Sequence, residues 1–292
     1  MAARDLVGRR VVSLQRELLA RDEEMRRQVP DSVHQARVTC RRLRAALGTF
    51  SPLLDRSVAG PVRVELQWAA RVLSDARDAE VVHLRLSGLV DEPDVSVVGP
   101  VRLRMERLFR ARTESADAEV AETIASPRYS DLLAALGRLV DDPPWTPAAD
   151  LEVDEAVPPL VRRDYSRLER RLVRAGAITA SVAHDVAVHD GRKAAKRLRY
   201  ACEAVEPAWG DDATRVVEAT TRITKALGER QDTVVSRRVL RGLAVSATAA
   251  GESTATYDQL QAREEQRARE CEAAFDEAWR EASRPELWAW LG

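Results

Sequence analysis

Apolar residues recur every three or four positions along almost the whole chain, the period of a helix buried on one side. Val7, Val11, Leu14, Leu18 and Leu19 set this pattern over residues 4–27. Pro30-Asp31-Ser32 interrupts it and offers an N-cap for a second helix, which runs to Phe50 and is ended by Ser51-Pro52. The same periodicity predicts helices over 58–73, 78–90, 98–124 and 129–140, then over 158–175, 182–205, 212–227, 233–249 and 254–282. Between the two groups lies Asp141-Asp142-Pro143-Pro144-Trp145-Thr146-Pro147, whose prolines cannot continue a helix. The valine-rich stretches 95–98 and 153–157 are too short and interrupted for a sheet. The expectation is an all-α protein in two helical halves, 1–142 and 151–292, joined by a proline-rich linker at 143–150.

Composition adds limits rather than detail. With 292 residues, 45% of them hydrophobic, the chain can bury a sizeable core, and aromatics at 4% leave its packing to aliphatic side chains. Cys40, Cys202 and Cys271 are odd in number and widely spaced, so they read as buried thiols in a reducing compartment, not as disulfides or a zinc site. No apolar run approaches a membrane span, and the amino-terminal residues lack the apolar core and cleavage site of a signal peptide. A cytoplasmic protein without a membrane partner is expected. The net charge of −1 gives the molecule as a whole no pull on polyanions, so any anion site must come from where the charges sit.

Two segments place them. His34-Gln35-Ala36-Arg37-Val38-Thr39-Cys40-Arg41-Arg42-Leu43-Arg44 in the first half matches His189-Asp190-Gly191-Arg192-Lys193-Ala194-Ala195-Lys196-Arg197-Leu198-Arg199-Tyr200 in the second. His34 and His189, Arg37 and Arg192, Arg41 and Lys196, Arg42 and Arg197, and Arg44 and Arg199 all pair at one offset. Leu73-Ser74-Asp75-Ala76-Arg77-Asp78 resembles Leu227-Gly228-Glu229-Arg230-Gln231-Asp232 within one residue of that offset. Two motifs in the same order indicate an internal duplication and predict two hairpins related by a pseudo-twofold axis.

At about 100° per residue, His34, Arg37, Arg41 and Arg44 share one stripe, while Leu43, Leu47 and Phe50 lie on another. His189, Arg192, Lys196 and Arg199 repeat the basic stripe, opposite Leu198, Cys202 and Val205. Elsewhere arginines alternate with acids, but residues 33–54 and 191–202 contain no Asp or Glu. Like charges at i,i+4 weaken a helix, so two acid-free windows suggest that the counter-charge is an external anion. Closely spaced phosphates suit arginine's bidentate fork and lysine's point charge.

These segments, with the trailing Arg77-Asp78 and Gln231-Asp232 and the step Ser126-Pro127-Arg128-Tyr129, resemble the CHAD family, the conserved histidine α-helical domains. The resemblance covers essentially the whole chain as a single such domain. It implies paired four-helix-type bundles around a basic central channel that binds inorganic polyphosphate, often at polyphosphate granules. The binding residues it implies are His34, Arg37, Arg41, Arg42, Arg44, His189, Arg192, Lys193, Lys196, Arg197 and Arg199, with Arg77, Arg112, Arg163, Arg167 and Tyr200 as secondary candidates. Some family members carry an amino-terminal triphosphatase domain marked by Glu-x-Glu-x-Lys. That motif is absent, and the chain looks like a stand-alone domain or a portion of something longer.

Other classes fit less well. Arginines around His34 would repel a metal ion, and neither a nucleophile motif nor a glycine-rich phosphate loop is present, so neither metal, cofactor nor catalysis is expected. Asp78 and Asp232 fit structural pairing with arginines better than a catalytic role. Nucleic acid is the rival polyanion, but Tyr200 is the one aromatic near the stripes for base stacking. An acidic protein partner is a further alternative.

Overall fold

Helix α1 (Ala3–Arg26) turns Val7, Val11, Leu14 and Leu18 of its predicted stripe inward together with Leu6, whereas Leu19 is 41% exposed. α2 (Ser32–Thr49) does the same with Leu43 and Leu47, and Phe50 follows at its end. Each such side chain contributes about 2 kcal/mol by leaving water. The chain continues as α3 (Arg56–Val90), α4 (Val101–Ala125), α5 (Pro127–Asp141), the single turn α6 (Val153–Ala156), α7 (Pro158–Gly176), α8 (Ser181–Ala249) and α9 (Ala255–Ala282). A 3-10 segment, Pro285–Leu291, ends it. The computed structural model describes residues 1–178 and 181–291, with the side chains at 75–78 and 181 outside that description. Among the described residues there are two isolated β-bridges and no strand, and no helix is long and apolar enough to cross a membrane. The fold is all-α, as the periodicity predicts.

Several boundaries differ from the pattern. Residues 58–73 and 78–90 belong to one helix, α3. Ser74 does not stop it, because its hydroxyl bonds back to the Ala70 carbonyl at 2.7 Å, an arrangement that accommodates serine within a helix. Residues 212–227 and 233–249 are likewise continuous. Gly228 does not break the helix there; a Cβ at that position would make ordinary contact with Nη2 of Arg192 at 3.5 Å. The break within α8 falls at Gly210, whose φ of 48° and ψ of −124° separate arms 181–209 and 211–249. Asp31, expected as an N-cap, has φ 63° and makes no cap bond; its carboxylate accepts from Gln35 Nε2 at 2.7 Å instead.

The proline-rich segment is stitched down rather than loose. Asp55 N donates to the Pro144 carbonyl at 2.8 Å, Thr146 Oγ1 to that of Pro52 at 2.8 Å, and Ala3 N to that of Leu151 at 2.9 Å. Trp145 covers Gly8 on α1, where an added Cβ would lie 3.4 Å from the indole ring. One apolar cluster draws residues from α1, α2, α3, α5, α7 and α8, so the two halves of the sequence share a core. A second cluster, including Leu86, Phe109, Leu240 and Leu260, joins α3, α4, α8 and α9. Beside it, Arg85 meets both oxygens of the fully buried Glu264 at 2.8 Å.

Candidate anion-binding site

α2 packs against α8, with α3 and α7 alongside both. Ala36 and Cys40 of α2 and Ala195, Ala201 and Cys202 of α8 are fully buried. With Leu43 and Leu198 turned into the core, the basic stripes emerge at the edges of this junction. A cavity of about 370 Å³ opens there, lined by Arg41 and Arg44 of α2, by Arg63, Gln67, Arg71 and Ser74 of α3, and by His189, Arg192, Lys193, Lys196, Arg197 and Tyr200 of α8. A second, of about 530 Å³, is lined by Gly48 and Ser51 at the end of α2, Arg56 and Arg63 of α3, Arg163 and Arg167 of α7, and again Arg197. Arg63 and Arg197 belong to both walls, and no Asp or Glu among the described residues lines either cavity.

Crowded positive charge leaves its mark on the ionisable groups. Burial, and then repulsion from Arg192, Arg41, Arg37 and Arg199, brings Lys196 from the ordinary 10.5 down to about 7. Burial followed by repulsion from Arg63 and Arg197 lowers Arg44. Arg163 and Arg167 are lowered mainly by burial, against a partial offset from Asp164. His189 falls below 6.5 through burial and the charges of Lys193 and Arg192, although it hydrogen bonds with Gln231. An anion in these cavities would relieve all of these groups together.

The predicted residues divide into two sets. Arg41, Arg44, His189, Arg192, Lys193, Lys196, Arg197, Arg163, Arg167 and Tyr200 line the cavities. Arg37 reaches the same field through Lys196, and donates to His34 Nδ1 at 3.2 Å. Arg42 and Arg199 instead meet Glu203, each at 3.3 Å, joined by Arg10 at 3.3 Å and, for Arg42, by Glu17 at 3.9 Å. Their guanidiniums flank Tyr200, 6.0 and 4.9 Å from the ring centre. Lys193 pairs at the surface with Asp190 at 3.3 Å. Arg112 lies over the Phe109 ring on α4 and lines neither cavity. Arg77 and Asp78 lie outside the described residues. Acid-free windows in sequence are therefore not acid-free surroundings: Glu17, Asp164 and Glu203 supply carboxylates from beyond them.

Arg56, Arg63 and Arg71 of α3 were not singled out by the sequence, yet they form a wall of both cavities. Their signal was present in the near-heptad spacing of 56, 63, 67, 71 and 74, which keeps one face of a helix. Arg63 and Arg71 already fall within the predicted helix 58–73, but they lie outside the duplicated segments, so no repeat marks them. Among the described residues no group of three or more His, Cys, Asp or Glu side chains is arranged to hold a metal ion.

Residues 12–241 match the family model described as CHAD domain. The uncharacterized proteins MT2285 and Rv2226 of Mycobacterium tuberculosis are each 33% identical over 282 residues, covering 94% of this chain and 53% of theirs. The chain thus spans about half the length of these curated relatives. Among solved structures, PptA from Streptomyces chartreusis is similar with a TM-score of 0.82 at 21% identity, covering 96% of this chain and 100% of that one. The CHAD domain from the plant Ricinus communis is similar with a TM-score of 0.74 at 22% identity, covering 95% and 91%.

Proposed function

The chain belongs to the CHAD family, and from that premise we propose that it binds inorganic polyphosphate, without catalysis, in the two adjoining basic cavities between α2, α3, α7 and α8. The observation that carries this reading is the convergence of Arg41, Arg44, Arg63, Arg192, Lys196 and Arg197 on one cavity that no Asp or Glu among the described residues lines. Positive charges gathered this closely favour the entry of an anion. A flexible phosphate chain supplies one negative charge per unit at a spacing that successive guanidiniums can meet. Burying these charges in a cleft focuses the positive potential even though the net charge is −1. In the cell this would place the protein in the cytoplasm, at polyphosphate granules.

Nucleic acid is the second reading, since a basic groove tracks any phosphate backbone. Tyr200 is buried at 5% exposure and flanked by two arginines, which leaves its face poorly placed to stack on a base. Titration calorimetry with long-chain polyphosphate, single-stranded RNA and DNA at matched phosphate concentration separates the two. Polyphosphate should bind tightest, with affinity falling steeply as salt rises. Equal or tighter binding of RNA, or no binding of polyphosphate at moderate salt, overturns the proposal. Reversing charge together at Arg44, Arg63, Arg192 and Lys196 should abolish binding while helicity is retained.

A further inference from the structure

A fully buried carboxylate stands at this basic junction. Asp164 of α7 is 0% exposed and accepts from Arg197 Nε at 2.9 Å and from Thr49 Oγ1 at 2.5 Å, all through Oδ2. Its neighbour Arg163 donates to the Thr49 carbonyl at 2.6 Å, so α7 clasps the carboxyl end of α2 with two adjacent side chains. The other face of the Arg197 guanidinium lies on Gly48, where a Cβ would meet Nη1 at 3.3 Å and Nη2 at 3.4 Å. Arg197 is the α8 residue common to both cavity walls.

This arrangement is odd on electrostatic grounds alone. A carboxylate beside an anion site lowers the local potential, and burying it is costly unless it is paired. Its geometry supplies the compensation: binding Nε and pressing the plane against a glycine fixes the guanidinium while leaving both Nη groups without a hydrogen-bond partner among the described residues. We propose that Asp164 is a positioning residue, holding Arg197 at the junction of the two cavities so that its Nη fork meets a phosphate passing from one into the other. The inference rests on the polyphosphate reading above.

The two accounts of Asp164 differ in sign. If only its charge matters, Asp164→Asn removes a negative charge and polyphosphate binds more tightly. If it orients Arg197, the affinity for long-chain polyphosphate falls about tenfold, the scale of one charge-assisted hydrogen bond. A double-mutant cycle separates orientation from general damage. In an Arg197→Gln background, Asp164→Asn should then cause no further loss. Thr49→Val, which removes the hydroxyl donor but keeps the shape, runs the same cycle should the Asp164 variant fold poorly. Tighter binding by Asp164→Asn, or equal losses in both backgrounds, overturns the proposal. Failure of the unsubstituted protein to bind polyphosphate at all would instead refute the reading on which it rests, a result the cycle cannot be confused with.

Discussion

If the proposed site holds polyphosphate, Lys196 makes that binding a proton-linked event. In the free protein, burial and four surrounding arginines hold its ammonium down at about 7, against the ordinary 10.5. A bound phosphate chain would add negative charge beside the ammonium and raise it against the effect of burial. At pH 8 the free site holds only about 0.1 proton and the relieved one nearly a full proton, so binding takes up about 0.9 proton per molecule. The full return from 7 to 10.5 corresponds to about 5 kcal/mol, an upper bound on what this linkage can contribute. Between pH 8 and pH 9 the affinity should fall about tenfold, because each molecule of protein must first capture a scarcer proton. The assay is titration calorimetry at pH 8 in buffers of different ionisation enthalpy, with chains long enough that their titrating end groups are negligible. The slope of observed against buffer enthalpy reads proton uptake directly. Lys196→Arg keeps the charge but does not titrate in this range, so it should abolish the slope and flatten the dependence from pH 7 to 9. A slope near zero for the unsubstituted protein, or one that survives in Lys196→Arg, refutes the reasoning.

Three further outcomes follow from the same geometry. Because the folded-state pKa of Lys196 lies below its unfolded value, folding expels a proton. That cost is fully present below about pH 7 and lifts as pH rises toward 10.5, so Lys196→Met should stabilise the free protein by a few kcal/mol at pH 6 and by almost nothing at pH 10 in denaturant titrations. Arg42 and Arg44 are near neighbours in sequence but should part in their effects. Arg42→Ala removes one of three arginines from Glu203, which keeps Arg10 and Arg199, and costs roughly 1 kcal/mol of stability with little change in polyphosphate affinity, whereas Arg44→Ala weakens binding about tenfold and leaves the unfolding midpoint unchanged or higher. Glu264→Gln leaves Arg85 with Glu229, 3.0 Å away, as its carboxylate partner, and unfolding should be easier by roughly 1–3 kcal/mol; no measurable loss would show that Glu229 and water make up for the pair.

The site was legible in part because its main stripes are local. Arg41, Arg44, Arg192 and Lys196 line a cavity because helical spacing puts them opposite Leu43 and Leu198, and that relation is complete within each segment. Arg56, Arg63 and Arg71 obey the same rule, but they lie outside the duplicated segments, so no repeat marks them. Arg42 is a different case. Its partner Glu203 comes from α8, so no inspection of residues 33–54 could reveal it.

Hydrophobic periodicity by itself determined that the chain is helical, where most helices begin and end, and which face of each carries arginine. These are properties of neighbouring residues, written into spacing and the stiffness of the backbone. Tertiary structure alone decided which of the arginines line the cavities and which of them meet Glu17, Asp164 or Glu203. Ion pairing acts through space over a few ångströms and ignores sequence distance. The division of one basic stripe between a cavity and a buried network therefore emerges only once α1, α2, α7 and α8 are packed together.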